Sequence, residues 1–146
     1  MRAQTTKPTK ISEIKRSWHL VDVGGKVLGR AAQEIAQKLA GKRKTNFVRN
    51  LDCGDFVVVI NAKKVVVTGK KEKEKTYGHF SGYPGGLKEK PLWLVRQQHP
   101  DRIIKQAIMG MLPKNKLRSR LITRLYIYAD EVHPYGKKFE TVEKKG

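Results

Sequence analysis

The run "FVVVI" at residues 56–60 limits the fold more than any other stretch of the chain. Its β-branched residues suit a strand. Apolar side chains at both parities leave that strand no face for water. Such a strand is covered on both sides, as in the parallel sheets of α/β domains. Upstream, "WHLVDV" (18–23) reads as another strand, ending in a glycine turn. From Leu28 the apolar residues recur as Leu28, Ala32, Ile35, Ala36 and Leu39, the spacing of a helix with one apolar stripe. Gly41 stands where a C-terminal cap belongs, and Lys42, Arg43 and Lys44 follow at the negative end of the helix dipole.

Further along, "KVVVTG" (64–69) predicts a short strand and "KKEKEK" (70–75) a charged excursion. "TYGHFSGYPGG" (76–86) reads as a Gly-rich aromatic loop, with a strand at its entrance as an option. "PLWLVRQQ" (91–98) starts with a proline, favoured in a first helical turn. "HPDRIIKQAIMGML" (99–112) is a second helix, stopped near Pro113, and "NKLRSRLITRL" (115–125) a basic amphipathic one. "LYIYA" (125–129) is the last strand. Strands alternating with helices predict one α/β layered domain over 17–133 with a largely parallel sheet and right-handed crossovers. Residues 1–16 read as a basic arm and 134–146 as a basic, loose tail.

Charge narrows the partners. The chain of 146 residues carries 32 Lys and Arg against 13 Asp and Glu, a net +19. That excess raises the free energy of the isolated fold and lowers it beside a polyanion. Nucleic acid is the leading partner and an anionic membrane the second. The membrane reading is the weaker, because no apolar stretch approaches the ~20 residues of a spanning helix. The first residues lack the apolar core of a secretory signal, while a short organellar transit peptide stays open. The single Cys53 leaves no internal disulfide and no multi-cysteine zinc site, and a reducing cytosol is the natural compartment.

"DVGGKVLGRA" (22–31) has the glycine spacing of a nucleotide phosphate loop. Such a loop also needs a Lys for the β/γ oxygens and a Ser or Thr for Mg²⁺. Arg30 and Ala31 stand in those positions, and alanine holds no metal. The reading is a tight strand-to-helix turn, with no nucleotide cofactor. Arg30 is left free one turn into the helix, as a contact for a phosphate of a larger polyanion. The four histidines, His19, His79, His99 and His133, show no metal spacing. Asp52 and Asp55 flank Cys53 and could pair for acid–base work, but no base or metal ligand accompanies them. An Asx-type turn around Gly54 is the favoured account. No catalytic residue is assigned.

The cations cluster. Lys42, Arg43 and Lys44, then Lys70 and Lys71, then Lys114, Lys116, Arg118 and Arg120, and finally Lys137 and Lys138 form candidate phosphate contacts. On a continuous helix Lys116 and Arg120 share a face, with Arg124 next in line. "YGHFSGYPGGLK" (77–88) places Tyr77, His79, Phe80 and Tyr83 among glycines and Lys88. Its rings could stack on unpaired bases or tuck into the domain; His79 and Tyr83 look better exposed than Phe80.

Taken in order, "WHLVDVGGKVLGRAAQEIAQKLAGK", "DCGDFVVVINAKKVVVTGKK", "YGHFSGYPGGLK", "GMLPKNKLRSR" and "RLYIYADEVHP" closely resemble the bacterial large-subunit ribosomal protein L-thirteen family over nearly the whole chain. Departures fall at Met109, at Arg118 with Ser119, and at Asp130. The resemblance implies a single three-layer α/β/α domain, bound to large-subunit ribosomal RNA in the cytoplasm and touching neighbouring ribosomal proteins. It implies a role in early subunit assembly, no enzymatic activity, and no small-molecule substrate. Lys42, Arg43, Lys44, the 79–88 loop (His79, Ser81, Gly82, Tyr83, Gly85 and Lys88) and Lys114 with the following helix are the contacts it suggests. An additional regulatory role on free RNA and, at the far end, a small nucleotide-dependent enzyme are the alternatives.

Overall fold

Strand β2 (Phe56–Ile60) lies at the centre of a parallel sheet, between β1 (Trp18–Asp22) and β5 (Leu125–Ile127). The computed structural model describes residues 7–143, with side chains as far as Phe139. Register explains why "FVVVI" is apolar throughout. Val57 and Val59 pair with Leu125 and Ile127 on one side and with His19 and Val21 on the other, and this face joins the main core. Phe56 and Val58 lie on the opposite face, across from Trp18 and Leu20. Val57, Val58 and Val59 are all fully buried.

Helix α1 (Leu28–Ala40) carries β1 to β2 and buries Leu28, Ala31, Ala32, Ile35, Ala36 and Leu39 against the core face. It packs beside α4 (Pro100–Met111), which buries Ile103, Ile104 and Ile108. Gly41 ends α1 with φ 73°, and a Cβ there would lie 2.4 Å from the Cys53 carbonyl oxygen. At Gly54 a Cβ would lie 1.6 Å from the Leu39 carbonyl oxygen. The 53–55 backbone therefore lies directly on the end of α1, where the Asp55 amide donates to Lys38 O.

Three expectations change. Residues 64–69 form no strand: Asn61 takes the left-handed region (φ 61°) and turns the chain into a short 3-10 turn over Ala62–Lys64. Val65 then drops into the core, and Val66 makes one bridge to Val27. The "KKEKEK" segment contains a short helix α2 (Lys71–Glu74), and the aromatic segment is a full hairpin, β3 (Thr76–Phe80) with β4 (Leu87–Pro91). Gly82 and Gly85 take positive φ in its turn. Helices α3 (Leu92–Gln98), α4 and α5 (Leu117–Ile122) fill the connection to β5.

The described part of the tail expected to be loose contains a helix. Tyr135 and helix α6 (Gly136–Glu143) lie over the second sheet face. There Trp18 stacks on its cross-strand partner Phe56 with ring centroids 4.5 Å apart. Tyr126 and Tyr135 stack on the same indole, and Phe139 meets it edge-on. Each such ring pair adds about 0.5–1.5 kcal/mol beyond area burial. Helices on one face and the docked tail on the other give the expected layering. The described part of the N-terminal arm is likewise held. Thr9 Oγ1 donates to Asn46 O, and the Arg16 guanidinium to Gly54 O. The rest of the arm (1–6) and of the tail (144–146) lies outside the described residues.

Candidate nucleic-acid interface

The glycine loop before α1 shows what its amides do. The Gly24 amide donates to Asp22 Oδ1 (2.8 Å), Gly25 to Lys64 O, Lys26 to Val23 O, and Leu28 to Val66 O. A phosphate cradle needs such amides free. Asp22 also accepts from Asn61 Nδ2 (2.9 Å), and that bond, with the Gly24 amide, holds its carboxyl below the usual range. A fixed negative charge therefore stands in the loop. Only Gly25 needs its positive φ (71°). Arg30 is exposed and has no ion-pair partner among the described residues.

At the opposite end of α1, two carboxylates pair with candidate cations. Asp52 accepts both terminal nitrogens of Arg124, and Arg16 approaches at 3.4 Å. Arg124 is a correction: α5 ends at Ile122, and the chain turns into β5 before the next helical turn could form. Its side chain is only 8% exposed and its guanidinium is paired with Asp52, although it still lines one groove with Arg120. Lys44 is the second paired cation. Its ammonium lies on Asp55 and on the Lys15 carbonyl. Asp55 also accepts from the Ser17 amide and meets His19 Nε2, each at 2.9 Å. Burial alone would raise both carboxyls; the Arg124 and Gly54 donors at Asp52, and the His19, Lys44 and Ser17 donors at Asp55, outweigh it and hold both below the ordinary value. The Asx turn is present, with the Gly54 amide on Asp52 Oδ1 at 3.3 Å.

Clefts gather some of the remaining cations. The hairpin and α4 enclose about 280 Å³ lined by Tyr77, His79, Lys88, Lys90 and Arg102, with Val95 beneath. Register accounts for the convergence, since Tyr77 opposes Lys90 and His79 opposes Lys88. Alternation puts all four on one hairpin face, and Arg102 reaches it from α4. No carboxylate lines this cleft. A second cleft, about 430 Å³, has an apolar floor with Phe47, Leu51, Met111 and Leu117, and Lys42 and Arg49 among its lining. A third groove holds Arg120 beside Ile11 and Arg16 of the N-terminal segment.

Lys90, Arg102 and Arg49 escape sequence reading. Lys90 follows Lys88 at strand spacing, a signal visible once the segment is taken as a hairpin. Arg102 and Arg49 become neighbours of the site only through packing. Arg43, Lys70, Lys71, Lys114, Lys116, Lys137 and Lys138 are exposed but line none of these three clefts, and Arg118 is half-buried. Phe80 is 62% exposed and Tyr83 76%, so the expected contrast between them is small. Gly82 and Gly85 shape the turn, while Ser81 and Gly86 close it through a backbone hydrogen bond.

Among the described residues no His, Cys, Asp or Glu group has a metal-holding arrangement, and no helix is long and apolar enough to cross a membrane. The class is thus a basic parallel α/β domain with several of its cations gathered in outward clefts, chemistry suited to a phosphate polymer. The family described as Ribosomal protein L13 matches residues 16–134. The chain is 49% identical over 127 residues to the large ribosomal subunit protein uL13 of Chloroflexus aggregans, covering 87% of this chain and 89% of that protein. It is 51% identical over 132 residues to the protein of that name from Solibacter usitatus, covering 90% and 92%. For the Dehalococcoides mccartyi protein the figures are 45% over 140 residues, 96% and 98%. The chain belongs to the ribosomal protein L13 family.

Proposed function

We propose that this protein is a structural constituent of the large ribosomal subunit that binds large-subunit ribosomal RNA and supports early assembly of that subunit in the cytoplasm. The observation that carries the reading is the carboxylate-free cleft of His79, Lys88, Lys90 and Arg102. Cations crowded without counter-charge are stabilised by phosphates, and each contact releases counterions. Lys42, Arg43, Arg49, Lys114, Lys116 and Arg120 extend the contacting surface; shape and backbone charge, rather than base edges, supply recognition. The names of the relatives support this reading. The nucleotide-enzyme alternative loses its loop to Asp22 and to internal hydrogen bonds.

Two measurements test it. Tagged protein sedimented through a sucrose gradient should peak with the large subunit; a peak only at the top overturns the proposal. Affinity for purified large-subunit RNA should fall with salt, with a log–log slope of about 0.7–0.9 per phosphate contact. A flat salt response overturns the electrostatic mechanism.

A further inference from the structure

The β3–β4 hairpin has two faces of opposite chemistry. One is the basic face already described, turned toward Val95 and Arg102. Alternation puts Gly78, Phe80, Leu87 and Glu89 on the other. Phe80 and Leu87 are direct cross-strand partners, 62% and 59% exposed, and Glu89 opposes Gly78. Without a side chain at Gly78, Leu87 lies low over the strand, 3.6 Å from where a Cβ would stand. The result is a smooth apolar patch beside an exposed carboxylate that has no ion-pair partner among the described residues.

This face suits no phosphate polymer. In a chain of net +19, it carries no cation. Glu89 repels phosphate, and the ring on this face, Phe80, stands beside aliphatic Leu87 rather than beside a cation that would hold a nucleotide's phosphate. Exposed apolar patches with a polar rim mark protein contacts. We infer that the Phe80–Leu87–Glu89 face docks a neighbouring protein of the same assembly, through an apolar segment carrying a Lys or Arg that meets Glu89. RNA then lies on one side of the hairpin and protein on the other. The inference goes beyond RNA binding but rests on placement in a large subunit.

Photo-crosslinking in assembled large subunits tests it, with a benzoylphenylalanine at position 87 of the full chain and, separately, at position 90. Position 87 is expected to give an adduct with another large-subunit protein, and position 90 an adduct with RNA. An RNA adduct, a self-adduct or no adduct from position 87 overturns the inference. Failure of position 90 to reach RNA counts instead against the RNA reading of the cleft. Glu89→Lys should lower the protein adduct from position 87 by up to about fivefold, the worth of one rim ion pair, and leave the RNA adduct from position 90 in place. An undiminished protein adduct overturns the assignment of a basic partner.

Discussion

Removing Asp52 should unfold much of what holds the sheet to the N-terminal segment. Arg124 is 8% exposed, and its terminal nitrogens both donate to Asp52. Its Nε is already buried with no partner in the structure. Asp52→Ala therefore strands a guanidinium charge with nothing to balance it. Breaking a buried pair from one side costs about 3–5 kcal/mol. That is a fifth or more of a typical domain stability of roughly 5–15 kcal/mol, and a fall in Tm on the order of 10 °C. Arg124→Met should cost less, because Asp52 keeps the Gly54 amide and the approach of Arg16. The double variant should be more stable than Asp52→Ala alone, with coupling of about 0.5–3 kcal/mol. Urea unfolding of all four proteins measures the cycle. A cost below about 1 kcal/mol for Asp52→Ala, or strict additivity in the double variant, refutes the account of a structural pair. The same variants separate fold from recognition. Arg124→Met should leave the salt slope of RNA binding unchanged, and a lower slope would return Arg124 to the interface.

Gly54→Ala should fail to fold or lose at least about 3 kcal/mol, since the new methyl meets the Leu39 carbonyl at 1.6 Å and neither backbone can move freely; a thermal melt within 2 °C of the parent, on the order of 0.5–1 kcal/mol, contradicts this packing. Stability should hold between pH 8 and 5 as far as Asp52 and Asp55 are concerned. Both carboxyls titrate below the ordinary value in the folded state, so their contribution is complete above the unfolded-state value of about 4 and goes as pH falls below it. Urea midpoints against pH test this, and in Asp55→Asn the acid loss should shrink. Lys90→Gln and Arg102→Gln should each reduce the RNA salt slope by about 0.7–0.9; Arg30→Ala, measured alongside, shows whether the exposed Arg30 contacts RNA.

The parts of this fold visible in sequence are those held by a single local pattern. "FVVVI" declares burial on two faces, and the Leu28–Leu39 stripe needs no knowledge of its partner. The hairpin is harder, because glycines at 78, 82, 85 and 86 break the apolar alternation by which strands are recognised. Residues 64–69 have strand composition but make only the one bridge from Val66 to Val27, since Asn61 turns them away from the sheet. The fate of each cation depends on a distant carboxylate. Lys44 and Lys42 look alike in sequence, yet only Lys44 lies beside Asp55. Arg124 looks like a helix-face arginine until Asp52, far upstream, is placed against it.

The aromatic stack around Trp18 bears on how the chain is made. Trp18 and Phe56 leave the ribosomal exit tunnel early, but two of the rings that flank them, Tyr126 and Tyr135, emerge only after the long connection between β2 and β5. Through most of synthesis that side of the nascent sheet is bare, exposing an indole and a phenyl ring to solvent. Chaperone capture during translation is expected to fall on this surface, and to end abruptly when the segment carrying Tyr135 and Phe139 is released and closes over it.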